Sequence, residues 1–232
     1  MRINSEIAGL LAEGCDRLGI EPDNRALTRL ACYFGELQKW NKKINLIARA
    51  PEQEIVDRHF LDSLTLLPFL RQHSSKPLLD VGSGGGFPAL VLKACLPELQ
   101  LTLVEPRLKR VSFLKHIIRI LELGQVTVMD SRLAPENRLF QGQTFPLISC
   151  RGLTKVSKFL EMCRSFSPEG GRVICMKGPK ADEELADWQD EQPASPYRLA
   201  ERINCLLPFS RSKRIILIFS RQSQAEPFSS SF

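Results

Sequence analysis

Over the first seventy or so residues the apolar positions recur at helical spacing. In "NRALTRLACYFGELQKWNKKINL", Leu27, Leu30, Ala31, Phe34, Leu37 and Ile44 fall at steps of three, four and seven, the signature of one buried helical face. Past Pro51, "EQEIVDRHFLDSLTLLPFL" repeats the pattern with Ile55, Val56, Phe60, Leu64 and Leu67 on one side. "RQHSSKP" then makes a short polar connection, so 1–72 reads as an N-terminal helical region.

Beyond it the period changes. Short apolar runs near 77–82, 100–105, 125–130, 145–149 and 172–177 predict strands, and segments over 88–95, 107–123, 132–139 and 155–166 predict helices between them. Such alternation predicts an α/β fold over 73–223, a mostly parallel, Rossmann-like sheet with helices on both faces. At its end "SPYRLAERINCLL" and "SKRIILIFSRQ" predict two strands joined by a short basic turn, antiparallel at one edge. Residues 224–232 are expected to form a loose tail.

Composition narrows the class. With 232 residues, 43% of them hydrophobic and 25% charged, the chain has an ordinary globular balance, which excludes a disordered or fibrous protein. No apolar run approaches the roughly 20 residues of a membrane helix. The N-terminus lacks the apolar core of a signal peptide. A cytoplasmic protein with no membrane contact is expected, a monomer being favoured. Seven cysteines without a C-x-x-C pair, and three histidines far apart, predict neither a disulfide framework nor a bound metal. Basic residues exceed acidic ones by 6 and the pI is about 9.0. That excess suits an anionic partner such as nucleic acid without requiring one.

The chemistry concentrates in "LLDVGSGGGFPAL", 78–90. Pro88 suits the first turn of a helix, so the glycines lie on a strand-to-helix turn at the carboxyl edge of the sheet, where open α/β folds bind ligands. A phosphate loop of the Walker type needs Gly-Lys-Ser/Thr, and this turn has no lysine before Lys93. A dinucleotide fingerprint starting at Gly82 and Gly84 meets Phe87 where a small third residue is needed, and leaves Asp80 unexplained. The pattern D-x-G-x-G-x-G suits S-adenosylmethionine (SAM) better: bare glycine backbone admits its methionine and ribose portions, and Asp80 can accept from its ammonium group. Glu105, ending the second strand, is placed to hold ribose hydroxyls. An NAD site would use an acid there too, and a turn serving chain geometry alone also stays open.

Several further stretches carry a specific resemblance. "KWNKKINL" (39–46), "RHFLDSL" (58–64), "DVGSGGGFP" (80–88), "KRVSFL" (109–114), "DSR" (130–132), "SCRG" (149–152) and "MKG" (176–178) together resemble the RsmG (GidB) family of class I SAM-dependent methyltransferases. That family methylates N7 of guanosine 527 in bacterial 16S ribosomal RNA. The resemblance implies a SAM site including Gly82, Phe87, the backbone of Leu133 and Ala134, and Arg151. It also implies that Arg132, Arg151 and Lys177 are the basic residues nearest the reacting centre, and that the partner is 16S rRNA or the small ribosomal subunit. Three positions depart from the family pattern: Ala89 stands where a glycine is usual, Ala134 where an acid is common, and "SCRG" replaces Ser-Arg-Ala. The second removes a side-chain contact to adenine, for which Asp130 or Glu136 is a substitute.

Guanine N7 loses no proton on methylation, so the expected enzyme needs no strong general base and works chiefly by positioning. N7 in an RNA duplex faces a groove that side chains cannot enter, so the target should be unpaired or extruded. On the bland side, Lys109, His116 and Arg119 share a helix face that solvation explains as well as RNA does. "SRSKRI" (210–215) suits a basic hairpin turn better than a recognition loop. Trp40 suits an anchor between the helical and sheet parts, and His59 beside Asp62 suits packing or capping. Competing readings are a SAM enzyme with a small-molecule or protein acceptor, and a non-catalytic RNA-binding assembly factor on the same fold.

Overall fold

Asp23 starts the longest helix: its carboxylate accepts from the Ala26 N–H at 2.6 Å, and Asn45, in the left-handed region, ends it. The computed structural model describes residues 5–223; the tail proposed at 224–232 lies outside them. The helical region comprises α1 (Ser5–Arg17), α2 (Asn24–Ile44), α3 (Glu52–Ile55), a π-helical run Val56–Leu61, α4 (Asp62–Leu64) and α5 (Leu67–Arg71). The second stretch read as one helix is therefore interrupted, although Ile55, Val56, Phe60, Leu64 and Leu67 are all buried as their spacing predicts.

Among the described residues, seven strands and four α-helices follow: β1 (Leu78–Val81), α6 (Ala89–Cys95), β2 (Leu101–Val104), α7 (Leu108–Ile120), β3 (Val126–Met129), β4 (Leu147–Arg151), α8 (Val156–Cys163), β5 (Arg172–Lys177), α9 (Ala181–Glu191), β6 (Tyr197–Leu206) and β7 (Lys213–Arg221). The sheet order is β3-β2-β1-β4-β5-β7-β6. The first five strands are parallel, and β7 pairs antiparallel with both β5 and β6. The class expected from the alternation is the one found.

Two expectations need correction. The helix read over 132–139 is a single 3₁₀ turn, Arg138–Phe140, capped by the Asn137 side chain; Pro135 and an alternation too short to bury a face prevent more. Helix α9 was not foreseen, because only Ala181 and Trp188 are buried on an otherwise acidic segment.

Period-two alternation sends neighbouring strand residues to opposite layers. Leu78, Leu147, Ile174, Ile216 and Ile218 join the core shared with α1, α2, α6 and α7. Leu79, Ile148, Val173, Leu217 and Phe219 face α8 and α9. The N-terminal helices therefore share one continuous core with the sheet. Trp40 lies 5.6 Å from Phe113 and 5.1 Å from His116, ring centre to ring centre, bridging α2 to α7. His116 Nε2 donates to Glu36 Oε2 at 2.7 Å, and the ring is not part of an open basic stripe.

The "SRSKRI" segment runs from the β6–β7 turn into β7, and that turn is fastened to the helical region. Fully buried Asp57 accepts from the N–H groups of Phe209 (3.1 Å) and Ser210 (3.0 Å), and Arg17 donates to the Pro208 carbonyl at 3.2 Å. Helix α1 packs so closely on the π-helical run that a Cβ at Gly14 would stand 2.2 Å from Leu61 Cδ1. Gly14→Ala should therefore lose about 1–2 kcal/mol, the overpacking cost exceeding the gain in helix propensity. Urea unfolding checks this; a stabilised variant would show that Leu61 can yield. Among the described residues no helix is long and apolar enough to cross a membrane.

Candidate active site

Strand order reverses between β1 and β4, both neighbours within one parallel sheet, and ligands of such sheets bind beyond the carboxyl ends at that point. A cavity of about 530 Å³ opens there, within the size range of small-molecule sites. Its floor is the glycine turn. Gly82, Gly84 and Gly86 have φ of 74°, 56° and 83°, values that side chains rarely adopt. At Gly86 space also forbids a side chain: a Cβ would stand 2.3 Å from the Tyr33 hydroxyl and 2.8 Å from Leu90 Cδ1. That hydroxyl donates to the Gly85 carbonyl, so fully buried Tyr33 of α2 holds the turn from behind.

The sequence-expected residues are placed as follows. Gly82, Gly84, Phe87, Glu105, Arg132, Leu133 and Arg151 line this cavity. Ala134 does not; the cavity wall ends at Leu133. Asp80 lies beneath the turn and is 1% exposed. Its Oδ1 accepts from Ser149 Oγ at 2.8 Å, while Oδ2 has no hydrogen-bond partner. Burial pushes its pKa up to about 6, against the pull of Ser149, Ser83 and Arg151. Both Glu105 oxygens already serve the backbone, Oε2 accepting from the Gly84 N–H and Oε1 from the Arg107 N–H, each at 2.9 Å. The acid at the end of β2 thus joins the glycine turn to the next loop, and it keeps lone pairs for further donors.

Lys177 stands apart from this cavity. It lines a second one, of about 370 Å³, with Arg58, His59, Asp62, Arg151, Gly152, Met176, Gly178 and Arg214. Its ammonium donates to the Thr154 carbonyl (2.6 Å) and to Glu184 (2.7 Å). Glu184, on the unforeseen α9, also accepts from the Val156 N–H at 3.0 Å. Lys177 therefore shapes the loop after β4 as well as carrying charge.

Arg151, His59 and Gly152 are common to both cavities. Arg151 Nη1 donates to Asp62 Oδ2 and to the Arg58 carbonyl, both at 3.0 Å, and its carbon centre lies 5.2 Å above the Phe87 ring, a cation–π distance. Asp62 Oδ1 pairs at 3.2 Å with Arg214 Nε from β7. His59 contacts Arg151 across 92 residues of chain. Sequence reasoning missed Arg110, Ser131, Leu46, Ile47 and Arg214 as site residues. Of these, Leu46 had a signal, since "KWNKKINL" ends on it and Ile47 follows: Asn41 Oδ1 accepts from the Ile47 N–H at 2.9 Å and turns the chain over the glycine turn. Among the described residues no three His, Cys, Asp or Glu side chains converge as metal ligands would.

These residues fit SAM. The glycine turn is a cradle that a Cβ would fill, and the unpartnered Oδ2 of a buried acid beneath it suits a cationic amine.

Comparison with known proteins agrees. The family model for GidB, rRNA small subunit methyltransferase G, matches residues 26–207. The "Ribosomal RNA small subunit methyltransferase G" of Desulfotalea psychrophila is 45% identical over 209 residues, covering 90% of this chain and 95% of that one. Its namesake from Alkaliphilus metalliredigens is 32% identical over 217 residues, covering 93% and 90%. In structure the chain is similar to a SAM-dependent O-methyltransferase of Thermotoga maritima, with a TM-score of 0.55 over 84% of this chain and 73% of that one. At 14% identity that likeness shows the fold alone.

Proposed function

The chain belongs to the rRNA small subunit methyltransferase G family, and from that membership we propose that it transfers a methyl group from SAM to N7 of guanosine 527 of 16S rRNA, in the cytoplasm. The observation that carries the reading is the pair of cavities meeting at Arg151, His59 and Gly152. One has the glycine cradle; the other is lined by four cationic side chains, Arg58, Arg151, Lys177 and Arg214, against one carboxylate, Asp62.

When bound, SAM supplies an electrophilic methyl group on a sulfonium. Gly82 and Gly84 would admit the cofactor against bare backbone, Asp80 would accept from its ammonium, Glu105 would accept from ribose hydroxyls, and Leu46, Ile47 and Leu133 would cover apolar surface. Arg132 and Arg110 stand at the rim, where the phosphates of an RNA strand pass. The basic second cavity receives the extruded guanosine, with N7 turned toward the shared wall. Arg151 there faces the guanine edge while its fork stays tied to Asp62. The N7 lone pair would form the new bond to the methyl carbon as the carbon–sulfur bond breaks and S-adenosylhomocysteine leaves, so no side chain has to remove a proton. The helical region forms the outer wall of the acceptor side through Arg58, His59 and Asp62.

The test is incubation with methyl-labelled SAM and small subunits that lack the modification, followed by reduction and strand scission at N7-methylguanosine. A single labelled guanosine in the expected loop is the predicted result. Binding of SAM without any label in RNA would point to a different acceptor.

A further inference from the structure

We infer that His59 is a positioning residue for the transfer step: its neutral imidazole, through the Nδ1 lone pair, fixes the Arg151 guanidinium in the wall between the two cavities. The inference rests on the proposal that the methyl group passes through that wall.

A guanidinium has donors only. Arg151 Nη2 lies 3.0 Å from His59 Nδ1, so Nδ1 must accept and the ring proton must sit on Nε2. The other end of the fork, Nη1, is held by Asp62 Oδ2 and the Arg58 carbonyl. Both ends are thus pinned, by three acceptors drawn from residues 58–62. With the Asp62 end alone, the guanidinium keeps its ion pair and loses its orientation. A π-helical run is a frequent device at functional sites, and here it carries Arg58 and His59 to the same arginine.

The imidazole is itself held. Its ring stands 5.1 Å from Phe87 at 36°, and Phe87 is the ring beneath Arg151. His59 and Arg151 therefore share one aromatic floor, next to the glycine turn. A histidine that merely filled space would have no need to present its lone pair to the one arginine lining both cavities. Burial enforces the neutral form first, and the surrounding charge adds to it: Arg151 from β4, Arg58 on the same run and Arg214 from β7 face the ring, against Asp62, and its pKa is pushed down to about 3.

Three full-length proteins test the inference: wild type, His59→Ala and His59→Asn. The asparagine amide oxygen can stand where Nδ1 stands and accept from Nη2. On small subunits, His59→Ala should lower kcat about tenfold or more with the SAM Kd within about twofold, and His59→Asn should recover kcat to within about threefold of wild type. A purely structural role would lower thermal stability and cofactor affinity together and would not be rescued by asparagine. His59→Ala with wild-type kcat, or His59→Asn as slow as alanine at equal Tm, overturns the inference.

A second measurement stands apart from any acceptor. With only three histidines in the chain, nitrogen NMR of the imidazoles resolves His59 directly. The Nε2-protonated neutral ring should persist to pH 5, and Arg151→Ala should shift the Nδ1 resonance. Titration near the ordinary value of about 6.5, or an Nδ1 that carries the proton, overturns it. If wild type leaves the small subunit unmethylated, the acceptor proposal fails, and the NMR still decides the His59–Arg151 contact.

Discussion

SAM affinity is expected to fall about tenfold for each pH unit below 6 and to be flat above it, and Asp80→Asn is expected to bind weakly at every pH. The group responsible is a carboxylate sealed under the glycine turn, with one oxygen on Ser149 and the other without a hydrogen-bond partner. Burial raises its pKa to about 6. The ionised form, which the cofactor's ammonium requires, is thus the costly one in the empty protein. Stability has the opposite sign. Because the folded pKa lies above the unfolded one of about 3.9, this group's contribution is fully present below pH 4 and is lost as pH rises through 6. The difference is on the order of 3 kcal/mol. Unfolding free energies of wild type minus Asp80→Asn, followed from pH 4 to 8, isolate it from other titrating groups. Calorimetry of SAM binding over the same range supplies the other half. Affinity that stays constant through pH 5 in wild type would remove Asp80 from the cofactor's contacts.

Arg151→Lys is expected to lower methyl transfer about a hundredfold while weakening SAM binding less than tenfold. The arginine makes contacts in two directions at once, Nη1 to Asp62 and the Arg58 carbonyl, Nη2 to His59. Its guanidinium carbon also lies 5.2 Å from the centre of the Phe87 ring. A lysine ammonium keeps the charge opposite Asp62, but as a point donor it cannot reproduce a planar fork or its stacking. Asp62 retains Arg214 at 3.2 Å, so no buried carboxylate is stranded and the folded protein should survive for the assay. Single-turnover rates at saturating SAM give the comparison. A lysine variant with a wild-type rate would show that charge alone suffices at the wall.

Much of this was legible in the sequence because it is local. The glycine turn declares itself within thirteen residues, and its strand and helix flanks follow from the change of hydrophobic period on either side. Arg151 was legible through the resemblance that "SCRG" carries, and Glu105 as the acid that ends the second strand. What was hidden depends on long-range closure. Nothing near His59 says that its partner is 92 residues away; a histidine next to an aspartate suggests that aspartate. Nothing near Tyr33 says that its hydroxyl reaches a carbonyl of the glycine turn, because a tyrosine on an apolar helical face reads simply as core. The 132–139 segment misled through polar residues that cap a single turn, and α9 escaped because an acidic helix with two buried side chains has almost no amphipathic signal. Lys177 read as a chemical residue through the resemblance carried by "MKG", yet Thr154 and Glu184 occupy its ammonium. Its partner Glu184 lies on the helix that escaped notice.

The stitching of Asp57 to Phe209 and Ser210, and of Asp62 to Arg214, spans about 150 residues of chain. A protein emerges from the ribosome N-terminus first, so the two sides of the site become complete at different moments of synthesis. Tyr33, the glycine turn, Glu105 and Arg151 have all emerged once β4 is out. The part of the basic cavity that Arg214 lines has to wait for the β6–β7 hairpin. A nascent chain, tethered to a ribosome whose small-subunit RNA is the kind its family modifies, would then hold the glycine cradle before the basic cavity is complete. Arg214, entering among the last strand residues, closes that interval.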